Sequence, residues 1–379
     1  MIPELSLFAS CAPGLDELLL AEVSDIGIDD ARLEEGGGVS FPYRLEGLYK
    51  ANLSLRIAER VHIRLPTFGA RRFDELVKKA RRLPWSRFVR SDKPIYLRAR
   101  CRKTRLIHNG AVEERVHQAI EAAIKRRVRR ASAEEATGAT RVDVALQDNQ
   151  CRIAIDTSGE PLHRRGYRLA VGKAPLREDL AAALLRFSGW DRASSLVDPM
   201  MGSGVIPIEA ALWARGIAPG IGREFGFTSF PEFKSKVWER VREEAIAAAR
   251  SDLDFVIAGS DRDAGAVGFA GTNAERAGVS ANLDLAAASL SGAPFLSRAP
   301  SAGLGALITN PPYGRRVSEG KDLRPLYQTL GAMIERREDC PALGLVCSDR
   351  KLAYATGIRL HGAQASQHGG RRVYLFRRA

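Results

Sequence analysis

The sequence predicts two halves of different fold class, an α+β N-terminal half followed by an α/β C-terminal half. Three observations carry this reading. The hydrophobic rhythm changes near residue 175, from short helices among half-buried strands to apolar strands separated by helices. A strand, a Gly-x-Gly turn and a helix follow one another from Leu196 to Arg215, the order in which an open sheet meets a ligand. Charge is also unevenly spread: residues 1–50 carry three Lys/Arg against ten Asp/Glu, whereas residues 51–130 carry 23 against seven.

In the first half, Leu5 to Cys11 reads as a strand and Pro13-Gly14 as a turn. The helix that follows runs to about Ile26, with Leu15, Leu18, Leu19 and Val23 on one face. Gly36-Gly37-Gly38 breaks the chain before the extended Val39–Phe41. Ile95 to Cys101 alternates apolar and polar residues, as a half-buried strand does, and Glu113 to Arg130 has helical spacing. Val142–Leu146 and Arg152–Asp156 predict a hairpin around Asp148-Asn149. The expected pattern is α+β and not parallel. Residues 157–175 are rich in Gly, Pro and basic residues and read as the connection between halves. Beyond them, strands are expected at Ser195–Val197, Phe255–Ala258, Ala306–Thr309, Leu343–Cys347 and Val373–Phe376.

Composition bounds the function. A chain of 379 residues can hold two or three domains. The start lacks a basic n-region, and no apolar run approaches the roughly 20 residues that span a bilayer. Five scattered cysteines make neither a disulfide framework nor a zinc set, so a reduced, cytoplasmic, metal-free protein is expected. The net charge of +13 favours a polyanionic partner. The excess of 16 cations within residues 51–130, interleaved with Phe68, Phe73, Trp85, Phe88 and Tyr96, points to nucleic acid over a merely solvated face.

Three motifs carry chemistry. In LVDPMMGSG, Leu196 to Gly204, the glycines let backbone approach a ligand closely, and Asp198 can accept from a cofactor's amino group. Taken alone, the turn could be a plain tight bend. Gly259-Ser-Asp261 puts a carboxylate at the end of the next strand, suited to both hydroxyls of a ribose. Its plain alternative is a helix N-cap, a role Asp263 could equally fill. The third motif is Asn310-Pro-Pro-Tyr313, with Gly314, directly after a strand. Two prolines fix a rigid bend that presents the Asn310 side chain and the Pro311 carbonyl together. Both are acceptors and suit an –NH2 group, and Tyr313 offers a flat face for a base or amide.

With these residues in place, the C-terminal half resembles the Rossmann-like class I S-adenosylmethionine-dependent methyltransferases that modify amino groups. Nearly the whole chain resembles the THUMP-domain RNA methyltransferases that make N2-methylguanosine in large-subunit ribosomal RNA and tRNA. The stretches that carry the likeness are SLFASCAPGLDELLLAEV, IDTSGEPLHRRGYR, APLREDLAAALL, DPMMGSGVIPIEAAL, GIAPGI, GSDRDA and TNPPYG. The resemblance implies a ferredoxin-like part over residues 1–50 and a THUMP RNA-binding domain over 51–158. A linker over 159–175 and a methyltransferase domain over 176–379 would follow.

It also implies roles. Asp198, Gly202 and Gly204 would cradle the methionine end of S-adenosylmethionine, and Asp261 would take the ribose. Asn310 and Pro311 would hold the amine, with Tyr313 stacked on a flipped base. Arg126, Arg127 and Arg130 are expected to contact RNA phosphates. Ser289 stands where the family usually has an acidic residue near the adenine amine. The expected product is N2-methylguanosine in 23S ribosomal RNA, made by a monomer. A tRNA substrate, an adenine amine, a glutamine amide, or a non-enzymatic protein with a degenerate cofactor site are the alternatives.

Overall fold

The computed structural model describes residues 5–168, 176–293, 304–313, 322–337, 340 and 342–379. The N-terminal half comprises β1 (Ser6–Ser10), α1 (Asp16–Asp25), β2 (Arg32–Leu33), β3 (Val39–Pro42), α2 (Leu45–Ser54) and β4 (Arg60–Arg64). It continues with β5 (Phe68–Gly69), α3 (Phe73–Ala80), β6 (Ile95–Arg102), α4 (Asn109–Ile124), β7 (Thr140–Gln147) and β8 (Gln150–Asp156). Its strands form one sheet in the order β2-β3-β1-β4-β8-β7-β6, with β5 beside β8.

Alternation explains which face of this sheet is covered. Leu7 and Ala9 of β1, Val61 and Ile63 of β4, and Ile153 and Ile155 of β8 are all buried, while their neighbours point away. The β7–β8 turn falls on Asp148 and Asn149, with φ of 52° and 62°. Two positive φ values in a two-residue loop match the twist of the flanking strands.

Two expectations need correction here. The sheet is not wholly antiparallel, because β6 and β7 pair in parallel from Ile95↔Thr140 to Arg102↔Gln147. The helix expected over 113–130 is α4, which starts at Asn109 and stops at Ile124. Lys125 turns left-handed at φ 57°, and the chain then pairs with the start of β6. There Ile95 N donates to Arg129 O at 2.9 Å and Ala131 N to Ile95 O at 2.8 Å. Tertiary hydrogen bonds to β6 therefore replace another turn and a half of helix.

The C-terminal half contains α5 (Glu178–Phe187), β9 (Leu196–Asp198), α6 (Val205–Ala214), α7 (Ser235–Ala247), β10 (Ile257–Asp261), α8 (Ala264–Ala277) and β11 (Leu283–Ala287). Then come β12 (Ala306–Thr309), α9 (Arg324–Glu335), β13 (Ala342–Cys347), α10 (Arg350–Tyr354), β14 (Leu360–His368) and β15 (Arg371–Arg378). Strand order is β11-β10-β9-β12-β13-β15-β14, parallel through β13, with β15 and β14 antiparallel. Every residue of β9, β12 and β13 is buried, as expected of central parallel strands. The sequence reading missed β11 and β14. Both are edge strands, covered on fewer sides, so neither needs the continuous apolar run by which the central strands were found.

One apolar core runs through both halves. Tyr49 of α2 packs against Phe227, 4.8 Å between ring centroids, and against Trp238 of α7. Chain order reverses between β9 and β12, whose carboxyl ends therefore open a crevice. No helix among the described residues is long and apolar enough to cross a membrane.

Candidate active site

The crevice is built by the loops that leave β9, β10 and β12. At the end of β9, Asp198 is buried, and its Oδ1 accepts from the Thr309 hydroxyl at 2.7 Å and from Met200 N at 3.1 Å. Both of these bonds fall on Oδ1, and among the described residues none falls on Oδ2. Burial pushes the Asp198 carboxyl up to about 7, and the nearby Asp261 adds to the rise.

The turn after β9 reaches its φ values only through glycine, at 53° for Gly202 and 82° for Gly204. The two glycines have different duties. A Cβ on Gly204 would lie 2.8 Å from the Ala270 Cβ, so that glycine permits α6 to pack on α8. A Cβ on Gly202 would meet nothing within 4 Å, so open space lies over the turn.

Asp261, at the end of β10, braces this turn: its Oδ2 accepts from Gly202 N at 2.9 Å and its Oδ1 from Asp263 N at 3.0 Å. The N-cap of α8 is Asp263, which accepts from Gly265 N and Ala266 N. Asp261 is thereby left at the crevice. Ser289 lies two residues beyond β11, exposed, with its hydroxyl 3.3 Å from that of Ser291. Ala288 N donates to Asp261 O at 2.9 Å, which brings Ser289 to the Asp261 side of the crevice.

After β12 comes Asn310, whose Oδ1 is buried without any hydrogen-bond partner. A buried acceptor left unsatisfied costs free energy unless a ligand completes it. Pro311 is buried and Tyr313 half-buried, and Tyr313 rests against the cores on both sides. Burial raises the Tyr313 hydroxyl to about 12. Gly314 lies outside the described residues.

Sequence reasoning missed two supporting residues. Thr309 ties the end of β12 to Asp198. The wholly buried Tyr327 of α9 places its hydroxyl 3.4 Å from Pro312 O and 3.3 Å from Cys347 Sγ, which props the tetrapeptide from below. The sequence holds a weak signal for Thr309, a polar residue ending an apolar strand.

The basic residues lie elsewhere, in the N-terminal half. Arg126 and Arg127 are exposed beyond the end of α4, and among the described residues neither is ion-paired. Arg130 is ion-paired with Glu113 of α4. Among the described residues no group of three His, Cys, Asp or Glu side chains is arranged to hold a metal ion.

Comparison with known proteins gives the family. The RMKL-like methyltransferase domain matches residues 165–360, which cover all the crevice residues named above. The chain belongs to the RMKL-like methyltransferase family. Ahead of that domain, the RlmL ferredoxin-like domain matches residues 6–62 and the THUMP domain residues 70–156. The ribosomal RNA large subunit methyltransferase K/L of Syntrophotalea carbinolica is 33% identical over 94% of this chain. The match covers 51% of that relative, so the chain spans about half its length. The putative RNA methyltransferase YpsC of Bacillus subtilis is 32% identical, over 87% of this chain and 84% of its own. Among solved structures, SMU.472, a putative methyltransferase complexed with SAH, superposes with a TM-score of 0.86 at 28% identity. That match covers 100% of this chain and 98% of the other.

Proposed function

We propose that the protein is an S-adenosylmethionine-dependent RNA methyltransferase acting on the exocyclic N2 amine of a guanine. The observation that carries the reading is Asn310, a buried carbonyl acceptor without a partner at the mouth of the crevice. The open space over Gly202 and the buried Asp198 carboxylate, whose bonds to described residues all fall on Oδ1, fit the cofactor. S-adenosylmethionine supplies, when bound, a methyl group already activated by its positively charged sulfur.

The chain's own residues do the rest. The ionised Asp198 accepts from the cofactor's amino group, Asp261 accepts from the ribose hydroxyls, and Ser289 faces the adenine. Gly202 and Gly204 shape the floor. Asn310 Oδ1 and the Pro311 carbonyl accept the two N–H bonds of the target amine. Holding both hydrogens orients the nitrogen lone pair along the line of attack, which is where alignment lowers the barrier. Tyr313 stacks on the base, which leaves its helix to reach the amine-binding residues.

The partner is RNA, supported by the THUMP match and by the cations of residues 51–130. Arg126, Arg127 and Arg130 contact phosphates, with Arg130 exchanging its Glu113 partner to do so. The large-subunit relative favours 23S ribosomal RNA over tRNA. The test is transfer of labelled methyl to ribosomal RNA lacking the modification, followed by digestion to nucleosides. Label in N2-methylguanosine is expected. Label in N6-methyladenosine, or in DNA or protein alone, would overturn the assignment.

A further inference from the structure

The hairpin of β14 and β15 leaves the sheet beside the amine-binding tetrapeptide. β15 runs antiparallel to β13, and its Tyr374 pairs with Cys347, the last residue of β13. Arg371, the first residue of β15, therefore reaches about 10 Å past the carboxyl end of β13, at roughly 3.4 Å per residue. The tip is firmly set. Gly369 and Gly370, at φ 55° and 76°, close a two-residue turn between His368 and Arg371, which pair across it. Further down, the hairpin rests on the N-terminal half, where Gln364 Nε2 donates to Gly14 O and a Cβ on Gly14 would strike Ala365 O.

Side-chain alternation divides the cations of the tip. Arg372 shares a face with Tyr374, whose ring also takes the Arg350 guanidinium at 5.5 Å. Arg371 shares the opposite face with the buried Val373 and Leu375. Its side chain is exposed, and among the described residues it has neither an ion pair nor a hydrogen bond. Tyr313 turns its hydroxyl towards this end of the sheet. Burial and the Cys347 thiol raise that hydroxyl and the Arg371 guanidinium opposes them, so Cys347 and Arg371 both stand near it.

We infer that Arg371 selects guanine, donating two N–H bonds to the O6 and N7 acceptors of the base while its N2 amine sits at Asn310. The inference rests on the guanine reading above and names the residue that recognises the base. The Tyr313 ring leads from the Asn310 bend to its own hydroxyl. A base stacked along that ring, with its amine at the bend, has its far edge at the hydroxyl end, beside Arg371. Guanine held by N2 presents O6 and N7 at that edge, the pair that arginine binds in bidentate fashion. Adenine held by N6 presents N3 and its bond to the sugar there, and offers no such pair. Two acceptors at the tetrapeptide suit either amine, so the choice between purines needs a second contact.

The experiment uses the full chain and large-subunit ribosomal RNA transcribed in vitro, once with guanosine and once with 7-deazaguanosine, which lacks only the N7 acceptor. Arg371→Ala should lower kcat/KM for N2-methylguanosine formation on the guanosine RNA by roughly tenfold to a hundredfold, the range of one bidentate base contact. Arg371→Lys should fall between the two, because a lysine keeps one donor without the fork. The salt dependence of KM should stay that of wild type, since a base contact displaces no counterions. Arg372→Ala should stay near wild type. SAH affinity should be unchanged in all three variants, which shows that the cofactor site is intact. On the 7-deazaguanosine RNA wild type should lose several-fold, whereas Arg371→Ala should lose nothing further, because the donor that N7 meets is already gone.

The assignment to Arg371 is overturned if Arg371→Ala methylates guanine as wild type does, or if Arg372→Ala loses as much. It is also overturned if the loss comes with a salt slope lower by about one unit, the mark of a phosphate contact. Equal losses for wild type and Arg371→Ala on the 7-deazaguanosine RNA would overturn it as well. A wild-type protein that forms no N2-methylguanosine on the guanosine RNA would sink the guanine reading itself, which separates the two failures.

Discussion

Tyr167 donates its hydroxyl to Glu209 Oε1 at 3.0 Å, joining the segment between the two halves to the helix that leaves the glycine turn. Both residues are buried. Arg165 Nε lies 3.6 Å from the same carboxylate and Arg56 Nη1 4.0 Å from it. Arg165 also donates to Arg56 O, and Arg56 donates to Leu212 O at 3.3 Å. Glu209 thus gathers two arginines and a tyrosine where the N-terminal half meets α6.

Glu209→Leu would leave two buried guanidiniums without their counter-charge, at a cost of roughly 3–5 kcal/mol. Tyr167→Phe removes one hydrogen bond and should cost about 1 kcal/mol. Denaturant unfolding of both variants checks the ranking. Equal, small losses would mean that Glu209 is not the centre of this junction.

Cofactor binding should depend on pH through Asp198. Its carboxyl is raised to about 7, so below that pH it carries a proton and cannot pair with an amino group. SAH affinity should rise as pH goes from 6 to 8, approaching tenfold per unit on the acid side. Asp198→Asn should flatten the profile. Thr309→Val removes a hydrogen bond that favours the charged form, so the midpoint should move upward.

The same group sets a sign for stability without cofactor. Because the folded value lies above the usual 3.8, the folded state binds more protons than the unfolded chain between about pH 4 and 7. Stability from this group is therefore full at the acid end of that window and falls as pH rises through it. Thermal unfolding of wild type and Asp198→Asn across this range should diverge in that direction, and parallel curves would refute the shift.

Asp261→Ala should weaken SAH binding by roughly 1.5–3 kcal/mol, the worth of hydrogen bonds to a charged group. Part of that loss would come from the Gly202 turn, which Asp261 holds at 2.9 Å. Calorimetry showing wild-type affinity would remove Asp261 from the ribose role.

Asn310→Ala should slow methyl transfer on the order of a hundredfold or more, since one of two preorganised acceptors is lost. SAH and RNA affinity should survive. Tyr313→Phe should be mild, because stacking needs only the ring. Tyr313→Ala should be severe. Single-turnover transfer with both ligands saturating distinguishes these outcomes, and a near-normal rate for Asn310→Ala would end the amine-binding role.

What the sequence determined by itself are features that a short stretch of chain imposes on its own backbone. The positive-φ glycines after β9 and the Asp148-Asn149 turn need no distant partner, so each was legible in place. Buried strands were legible because a run covered on both faces must be apolar throughout. The tertiary structure alone decided what depends on residues far apart in the chain. Thr309 and Asp198 stand 111 positions apart and meet at 2.7 Å. Edge strands β11 and β14 exist through their neighbours, without an apolar signature of their own. Charge shows the same limit most clearly. Counted along the chain, Arg56 and Arg130 belong to one basic segment and Arg165 to a basic connection. In the fold, Arg56 and Arg165 are buried around Glu209, and Arg130 is paired with Glu113. A guanidinium's partner is set by which elements pack together, and composition carries no record of that.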